Sequence, residues 1–334
     1  MNVFERYAPF IQDYIYRSGW QALRGVQNAA GEAIFGTGET VLLTASTASG
    51  KTEAAFFPIL TLLDEPHSVG VLYIAPLKAL INDQFGRLTE LCEEAGIPVT
   101  RWHGDVPQTQ KRRLLRKPRG ILQITPESLE SLLINKRMEI PSLFGDLRFV
   151  VIDEIHSLLR GDRGMQTFCL IERLSKAAGC HPRRVGLSAT IGDPQAAGRF
   201  LAAGSGRATV IPQCEGGREV WRLSMEHFFN TDPQADEGKP IVQALPALEE
   251  PTDTAPKAAD PGIGYIFEHT RGKKCLIFSN SREECEAVCQ SLRQYCEVNH
   301  EPDRFLIHHG NLSASYRKSA EEEKKDDGSL LSVC

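Results

Sequence analysis

The sequence predicts an α/β protein: a mainly parallel sheet with helices on both faces, followed by a shorter second unit built the same way. Three observations predict it. Short apolar runs alternate with amphipathic stretches through the first two hundred residues. Small-residue and acidic motifs stand at the C-terminal ends of those runs, which is where open parallel sheets hold their ligands. A proline-rich stretch then separates this region from a fresh strand–helix alternation.

Taken in order, Thr40 to Thr44 with Val41-Leu42-Leu43 at its centre is short and apolar enough for a central parallel strand. It runs into Ala45-Ser46-Thr47-Ala48-Ser49-Gly50-Lys51-Thr52. Small residues there let the backbone turn tightly, so that the N–H groups around Ser49 and Gly50 point at phosphate oxygens. A helix from near Lys51 through Leu63 adds the positive end of its dipole. Lys51 would reach the β- and γ-phosphates and the Thr52 hydroxyl would ligate magnesium. Ala45 and Ala48 stand where such loops usually carry glycine.

The next strand is Val71 to Ile74, followed by a helix over Lys78 to Ala95. Strands follow near Val99 and at Ile121 to Ile124, then a helix from Glu127. Phe149-Val150-Val151-Ile152 is a buried strand ending in Asp153-Glu154-Ile155-His156. Two acids at the end of a buried strand are costly unless they meet a cation or a proton-transfer partner. Asp153 is the expected magnesium partner and Glu154 the group that orients or deprotonates the attacking water. A helix over Thr167 to Ala178 and a strand Arg184 to Leu187 complete the first unit. Together the two motifs define a nucleoside-triphosphate site.

Other strand ends suit a polymer. Ala75-Pro76-Leu77-Lys78 closes a strand and opens a helix, offering backbone N–H groups and Lys78 to a phosphate. Thr125-Pro126-Glu127 repeats that arrangement, with Thr125 as hydroxyl donor and helix cap. Ser188-Ala189-Thr190 stands where it could link the γ-phosphate to a domain cleft. Lys111-Arg112-Arg113 with Arg116, Lys117 and Arg119 makes a dense basic helix, either a solvated face or a phosphate track.

Residues 1–230 are read as the ATP-binding domain, 231–262 as a proline-rich linker or insertion, and 263–334 as part of a second domain. That second part reads as a helix near Ile263 to His269, a strand Cys275 to Phe278, a helix Arg282 to Tyr295, a strand Phe305 to Ile307 and a charged helix from Ser313. A last strand covers Leu330 to Cys334.

Composition sets the outer bounds. The chain's 334 residues suffice for two cores, and 41% hydrophobic with 24% charged residues is ordinary for a globular protein. A formal net charge of −5 argues against a globally basic nucleic-acid coat, though not against local basic grooves. No apolar run approaches the ~20 residues that span a bilayer, so no membrane is expected and the cytoplasm is the expected location. The nine cysteines lack any CxxC spacing, so neither zinc nor an iron–sulfur cluster is expected. Cys92, Cys169, Cys180, Cys214 and Cys275 read as small core residues.

The combination resembles superfamily 2 helicases of the DEAD/DEAH-box kind, and most closely the Lhr (large helicase-related) group. ASTASGKTEAAFFPIL from Ala45, YIAPLKALINDQ from Tyr73, ITPESLESLL from Ile124, VVIDEIHSLLRGDRG from Val150 and VGLSATIGDP from Val185 carry the likeness. LIFSNSREECE from Leu276 and HHGNLSASYRKSAEEE from His308 extend it. The resemblance implies a RecA-like P-loop domain followed by an incomplete second RecA-like domain, with ATP and Mg2+ as ligands. It implies that Gln27 reads adenine and that His156 couples the acidic pair to Ser188 and Thr190. Pro76, Lys78, Thr125 and Pro126 would grip one strand's backbone, with Asn280, Ser281, Arg282, His309 and Gly310 as the second domain's share.

Relatives of this kind continue into a threonine- and glycine-containing motif, then a glutamine/arginine motif that supplies an arginine finger. Neither occurs before Cys334, so this polypeptide is expected to hydrolyse ATP poorly and Cys334 to be the edge of an incomplete reading frame. The expected activity is an ATP-driven DNA helicase or translocase of 3′-to-5′ polarity. An RNA helicase and a nucleotide-gated binding module that never unwinds are the alternatives.

Overall fold

The computed structural model describes residues 2–46, 49–64, 66–93, 95–159, 161–189, 191–213, 222–228, 260–309, 312–313, 315–316, 319–320 and 332–333. Compactness divides the chain into Met1–Glu219 and Val220–Cys334.

The first unit opens with three helices, α1 (Val3–Arg6), α2 (Pro9–Arg17) and α3 (Gly25–Gly36). Then follow β1 (Thr40–Thr44), α4 (Lys51–Leu62), β2 (Val69–Ile74), α5 (Lys78–Glu93), β3 (Val99–Trp102) and α6 (Gln108–Arg116). The alternation continues through β4 (Gly120–Ile124), α7 (Pro126–Asn135), α8 (Ile140–Phe144), β5 (Phe149–Ile152), α9 (Ile155–Leu158) and α10 (Asp162–Ala178). β6 (Arg183–Ser188), α11 (Pro194–Ala202) and β7 (Thr209–Val210) close the unit.

The strands form one seven-stranded sheet in the order β3-β4-β2-β5-β6-β1-β7, and every pairing in it is parallel. Side-chain alternation sends Val41, Leu43, Val71, Tyr73, Val151 and Val185 to one face, where they pack with α1 to α5. Leu42, Leu72, Ile74, Leu122, Val150 and Ile152 go to the other, against α7 to α11. Both faces are therefore covered, which is why β1, β2 and β5 read as near-continuous apolar runs rather than alternating ones.

The predicted strands and helices of this unit are present, with differences. α10 begins at Asp162, a turn before Thr167, because Gly164 lets it pass Leu158 closely: a Cβ there would lie 1.5 Å from the Leu158 carbonyl oxygen. α1, α2, α3, α8, α9, α11 and β7 are not among the predicted elements. The basic stretch forms α6 only as far as Arg116, so Lys117 and Arg119 lie beyond its end, and Lys111 departs from both readings: it is buried, its ammonium 5.7 Å from the Trp102 ring. Cys92 and Cys180 are core residues, whereas Cys169 is exposed and Cys275 only half-buried. Cys169 sits on the solvent side of α10, whose apolar stripe runs through Phe168, Leu170, Ile171 and Leu174 instead. Cys214 lies outside the described residues.

In the second unit, α12 (Pro261–Thr270), β8 (Cys275–Leu276), α13 (Arg282–Val298), β9 (Phe305–Leu306) and β10 (Ser332–Val333) surround a small core of Phe267, Cys285, Cys289, Leu292, Cys296 and Phe305. Their strands pair in parallel in the order β8-β10-β9. The stretch expected as a linker lies outside the described residues up to residue 259, and Pro261 and Gly262 already belong to α12. No helix among the described residues is long and apolar enough to cross a membrane.

Candidate nucleotide site

At the C-terminal ends of β1 and β5 the chain builds a cleft of about 460 Å³. Gln27, Gly50, Lys51, Thr52, Asp153 and Glu154 line it, together with Trp20, Arg24, Gln84 and Arg87. Residues more than a hundred positions apart thus share one wall, because β6 alone separates β1 from β5 in the sheet.

Gly50 is the N-cap of α4 and adopts φ 86°, a left-handed conformation open to glycine at little cost. Its missing side chain also leaves room for Gln27, whose Nε2 would lie 2.9 Å from a Cβ. Lys51 Nζ donates across the loop to the carbonyls of Ala45 (2.9 Å) and Ser46 (2.7 Å). Burial holds this ammonium below its ordinary pKa, and the charges of Glu154 and Asp153 pull it back up. Thr52 sits in the first turn of α4, and Ser49 just ahead of Gly50; Thr47 and Ala48 lie outside the described residues.

Asp153 is buried, and both of its carboxylate oxygens accept a bond. Oδ1 takes the backbone N–H of Glu154 at 2.9 Å, and Oδ2 takes the hydroxyl of Tyr73 on β2. Burial raises the Asp153 pKa, while the Tyr73 and Glu154 donors work against that rise. Tyr73 is itself fully buried, and burial beside this carboxylate keeps its phenol protonated far above neutrality. Glu154 adopts φ 49°, a left-handed backbone that is unusual for a glutamate and costs on the order of 1 kcal/mol. That turn aims its N–H at Asp153 and starts α9 at Ile155.

His156 Nδ1 faces three groups: the Ser188 hydroxyl at 3.2 Å, the Ala189 N–H at 3.3 Å and the Glu154 carboxylate at 3.2 Å. One nitrogen cannot both accept from Ala189 and donate to Glu154, so the two contacts are alternatives set by where the ring carries its proton. Thr190 lies outside the described residues.

Gln27 is fully buried on α3. Its Oε1 accepts from the Arg24 N–H at 2.9 Å, and its Nε2 has no partner among the described residues. A buried amide donor without a partner in the wall of a cleft fits a purine nitrogen. Asp153, Glu154 and the Thr52 hydroxyl are hard oxygen donors, the set magnesium prefers.

The residues expected to meet a polymer stand at the C-terminal ends of β2 and β4. Pro76 and Pro126 are buried at the ends of β2 and β4, and Thr125 caps α7, accepting from Ser128 N–H at 3.4 Å. Arg163 of α10 ties the two turns together, bonding the Pro76 carbonyl at 2.5 Å and the Glu127 carboxylate at 2.8 Å. Lys78 is exposed and held by Asp105 at 3.1 Å. Tyr73, Asp105 and Arg163 had no role in the sequence reading; Tyr73 and Arg163 lie inside the motif stretches, but nothing in a linear sequence shows which neighbour a side chain meets. In the second unit, Asn280, Ser281, Arg282 and His309 line a separate cleft of about 530 Å³. Ser281 there caps α13 through Glu284 N–H at 3.0 Å, and His309 Nε2 pairs with Glu286 at 3.0 Å. Gly310 lies outside the described residues.

An all-parallel sheet carrying a phosphate loop on β1 and an acidic pair on β5 defines a RecA-like P-loop nucleotide-binding core. More narrowly, the chain belongs to the DEAD/DEAH box helicases: that family's model matches residues 24–197, just over half of the chain. It is 31% identical over 308 residues to the ATP-dependent helicase Lhr-Core of Sulfolobus acidocaldarius, covering 86% of this chain and 32% of that protein. The Lhr-Core protein of Methanothermobacter thermautotrophicus is 30% identical over 309 residues, 86% of this chain and 33% of that one. The chain thus spans about a third of the length of these relatives. Among solved structures, Mycobacterium smegmatis helicase Lhr bound to ssDNA and AMP-PNP superposes with TM-score 0.75 at 25% identity, covering 100% of this chain and 42% of that one. The DEAD-box helicase Mss116 bound to ssRNA and UDP-BeF shares the fold, with TM-score 0.71 at 17% identity over 98% of this chain and 63% of that one.

Proposed function

We propose that the chain forms the ATP-binding part of a DNA translocase or helicase of 3′-to-5′ polarity. The observation that carries the reading is the cleft itself, where Gln27, Lys51, Thr52, Asp153 and Glu154 meet on one wall. Lys51 exchanges its two loop carbonyls for phosphate oxygens, and the N–H groups at Ser49 and Gly50 join it. Gln27 offers its open amide donor to adenine. Thr52 and Asp153 would hold Mg2+, which supplies charge neutralisation between the β- and γ-phosphates when bound. Glu154, on its strained turn, orients the attacking water and takes its proton. His156 senses that change and passes it to Ser188 and Ala189 by trading partners at Nδ1.

Lys78, Thr125 and the turns at Pro76 and Pro126 hold the sugar–phosphate backbone of one strand without reading bases. The cleft at Asn280, Ser281, Arg282 and His309 makes the matching contact in the second unit. The DNA preference draws on the ssDNA-bound Lhr structure; an RNA substrate would use the same backbone contacts. These 334 residues alone turn ATP over slowly on this reading. An arginine finger contributes ~10³–10⁵ in rate in related hydrolases, and the motif that would carry it is absent from residues 1–334.

The test is ATP turnover without polymer, with single-stranded DNA and with RNA. DNA stimulation supports the reading, RNA stimulation transfers it to RNA, and no stimulation by either leaves a nucleotide-gated binding module. Glu154→Gln is expected to lower kcat by ~10²–10⁴ while ATP binding persists; turnover that survives it removes Glu154 from the water.

A further inference from the structure

We propose that Tyr73 is a positioning residue for the nucleotide-bound metal: its hydroxyl, reaching from β2, fixes the plane of the Asp153 carboxylate. The inference rests on the reading of Asp153 as the carboxylate that holds Mg2+.

The geometry is that of a clamp with donors from two different elements. β2 and β5 pair in parallel, with Tyr73 opposite Val151, so the phenol extends along the sheet towards the strand end where Asp153 stands. The backbone of Asp153 is tied to the same strand, its N–H donating to the Ile74 carbonyl at 2.9 Å. Oδ2 then takes the Tyr73 hydroxyl and Oδ1 the Glu154 N–H, which leaves the carboxylate no free rotation about its last bond. Each oxygen keeps a second lone pair for a metal or for a metal-bound water. The ring cannot swing away, since Tyr73 is fully buried and packs on Phe56 of α4, centroids 6.0 Å apart. A phenol buried only for its apolar body would be satisfied by any backbone carbonyl; this one is spent on the single buried carboxylate of the site. Partners of this kind orient metal-holding groups, and their loss costs about 10–100-fold in metal affinity.

Tyr73→Phe keeps the ring and removes the donor. Binding of a fluorescent AMP-PNP analogue to the 334-residue chain is measured across a Mg2+ titration for wild type, Tyr73→Phe and Asp153→Asn, with thermal melting as the check on folding. Nucleotide affinity without Mg2+ is expected to stay within about twofold in all three. The Mg2+ needed for half-maximal enhancement rises about tenfold in Tyr73→Phe, and Asp153→Asn loses the enhancement. A Tyr73→Phe titration that overlays wild type, while Asp153→Asn loses its response, overturns the role of Tyr73 alone. Equal weakening with and without Mg2+ reduces Tyr73 to a packing residue and also overturns it. If wild type shows no Mg2+ response, or Asp153→Asn keeps one, the assignment of Asp153 falls and takes this inference with it. Should Tyr73→Phe fail to fold, 3-fluorotyrosine at position 73 retains the hydroxyl and reports by fluorine NMR. Its resonance is expected to move on adding Mg2+ with nucleotide in the Asp153 protein and to stay still in Asp153→Asn; no movement in either overturns the proposal.

Discussion

Lys78 and Asp105 form an exposed ion pair at the start of α5, and the proposed phosphate contact has to compete with it. The ammonium proposed to meet a nucleic-acid phosphate is already held by an exposed carboxylate at 3.1 and 3.2 Å, and Lys78 in turn holds the Asp105 pKa below the usual carboxylate range. A phosphate must displace Asp105 or sit beside its charge. Asp105→Asn is therefore expected to tighten single-stranded DNA binding roughly two- to fivefold at low salt, with the gain shrinking as salt rises. Lys78→Ala should weaken binding to all sequences alike and reduce the salt slope by about one. Fluorescence anisotropy over a salt series reads both, and an unchanged affinity in Asp105→Asn would separate Lys78 from the polymer. Asp153 carries the opposite kind of tension. Burial raises its pKa, so the folded chain binds that proton more tightly than the unfolded chain does. The stability associated with Asp153 is thus present at acid pH and is lost as pH rises through the range above an ordinary carboxylate. Asp153→Asn removes this loss, so its melting temperature should exceed that of wild type by a margin that grows as pH rises above the ordinary carboxylate range. A margin that is flat with pH would mean the donors from Tyr73 and Glu154 already offset burial.

Among the elements, α3 shows what a sequence does and does not reveal. Central strands such as Val41-Leu42-Leu43 and Phe149 to Ile152 are legible because a strand covered on both faces is apolar at every position. The loop at Gly50-Lys51-Thr52 and the pair at Asp153-Glu154 stand out in the sequence because they are the residue types a phosphate and a metal would demand at strand ends, and the fold brings both to one cleft. Helix α3 carries Ala30, Gly31 and Ala33 towards the core, residues too small to mark a stripe, and its N-cap is Arg24 rather than one of the usual capping side chains. It is held instead by Arg183 of β6, about 150 residues away, which no local pattern can announce. That buried guanidinium bonds the carbonyls of Ile34 (2.6 Å), Ala33 (3.2 Å) and Glu39 (2.6 Å). Burial, with Arg207 nearby, pushes its pKa down to about 10, still charged at neutral pH. Arg183→Met takes this donor from the Ile34 and Glu39 carbonyls, while Ala33 keeps the Thr37 hydroxyl, and should destabilise the first unit by about 2–4 kcal/mol in denaturant unfolding. Because α3 also carries Gln27, nucleotide affinity should fall in the same variant. A loss of stability with affinity intact would mean the base end of the cleft is fixed from elsewhere.

For the molecule as a whole, the nucleotide cleft belongs to one unit. Both large hydrophobic clusters, the seven-stranded sheet and every lining residue of the cleft lie within Met1–Glu219. A domain of that size buries enough apolar surface to fold alone, whereas the second unit's described core is a handful of side chains around Phe267 and Phe305. A polypeptide of residues 1–219 is therefore expected to melt in one cooperative transition and to bind AMP-PNP with Mg2+ within about twofold of the 334-residue chain. Single-stranded DNA binding should fall by far more, since the contacts proposed at Asn280, Ser281, Arg282 and His309 are lost with the second unit. Calorimetry for nucleotide and anisotropy for DNA distinguish the outcomes. If nucleotide affinity fell together with DNA affinity, the second unit would contribute to the nucleotide site in the resting protein. If neither fell, the first unit alone would grip the strand.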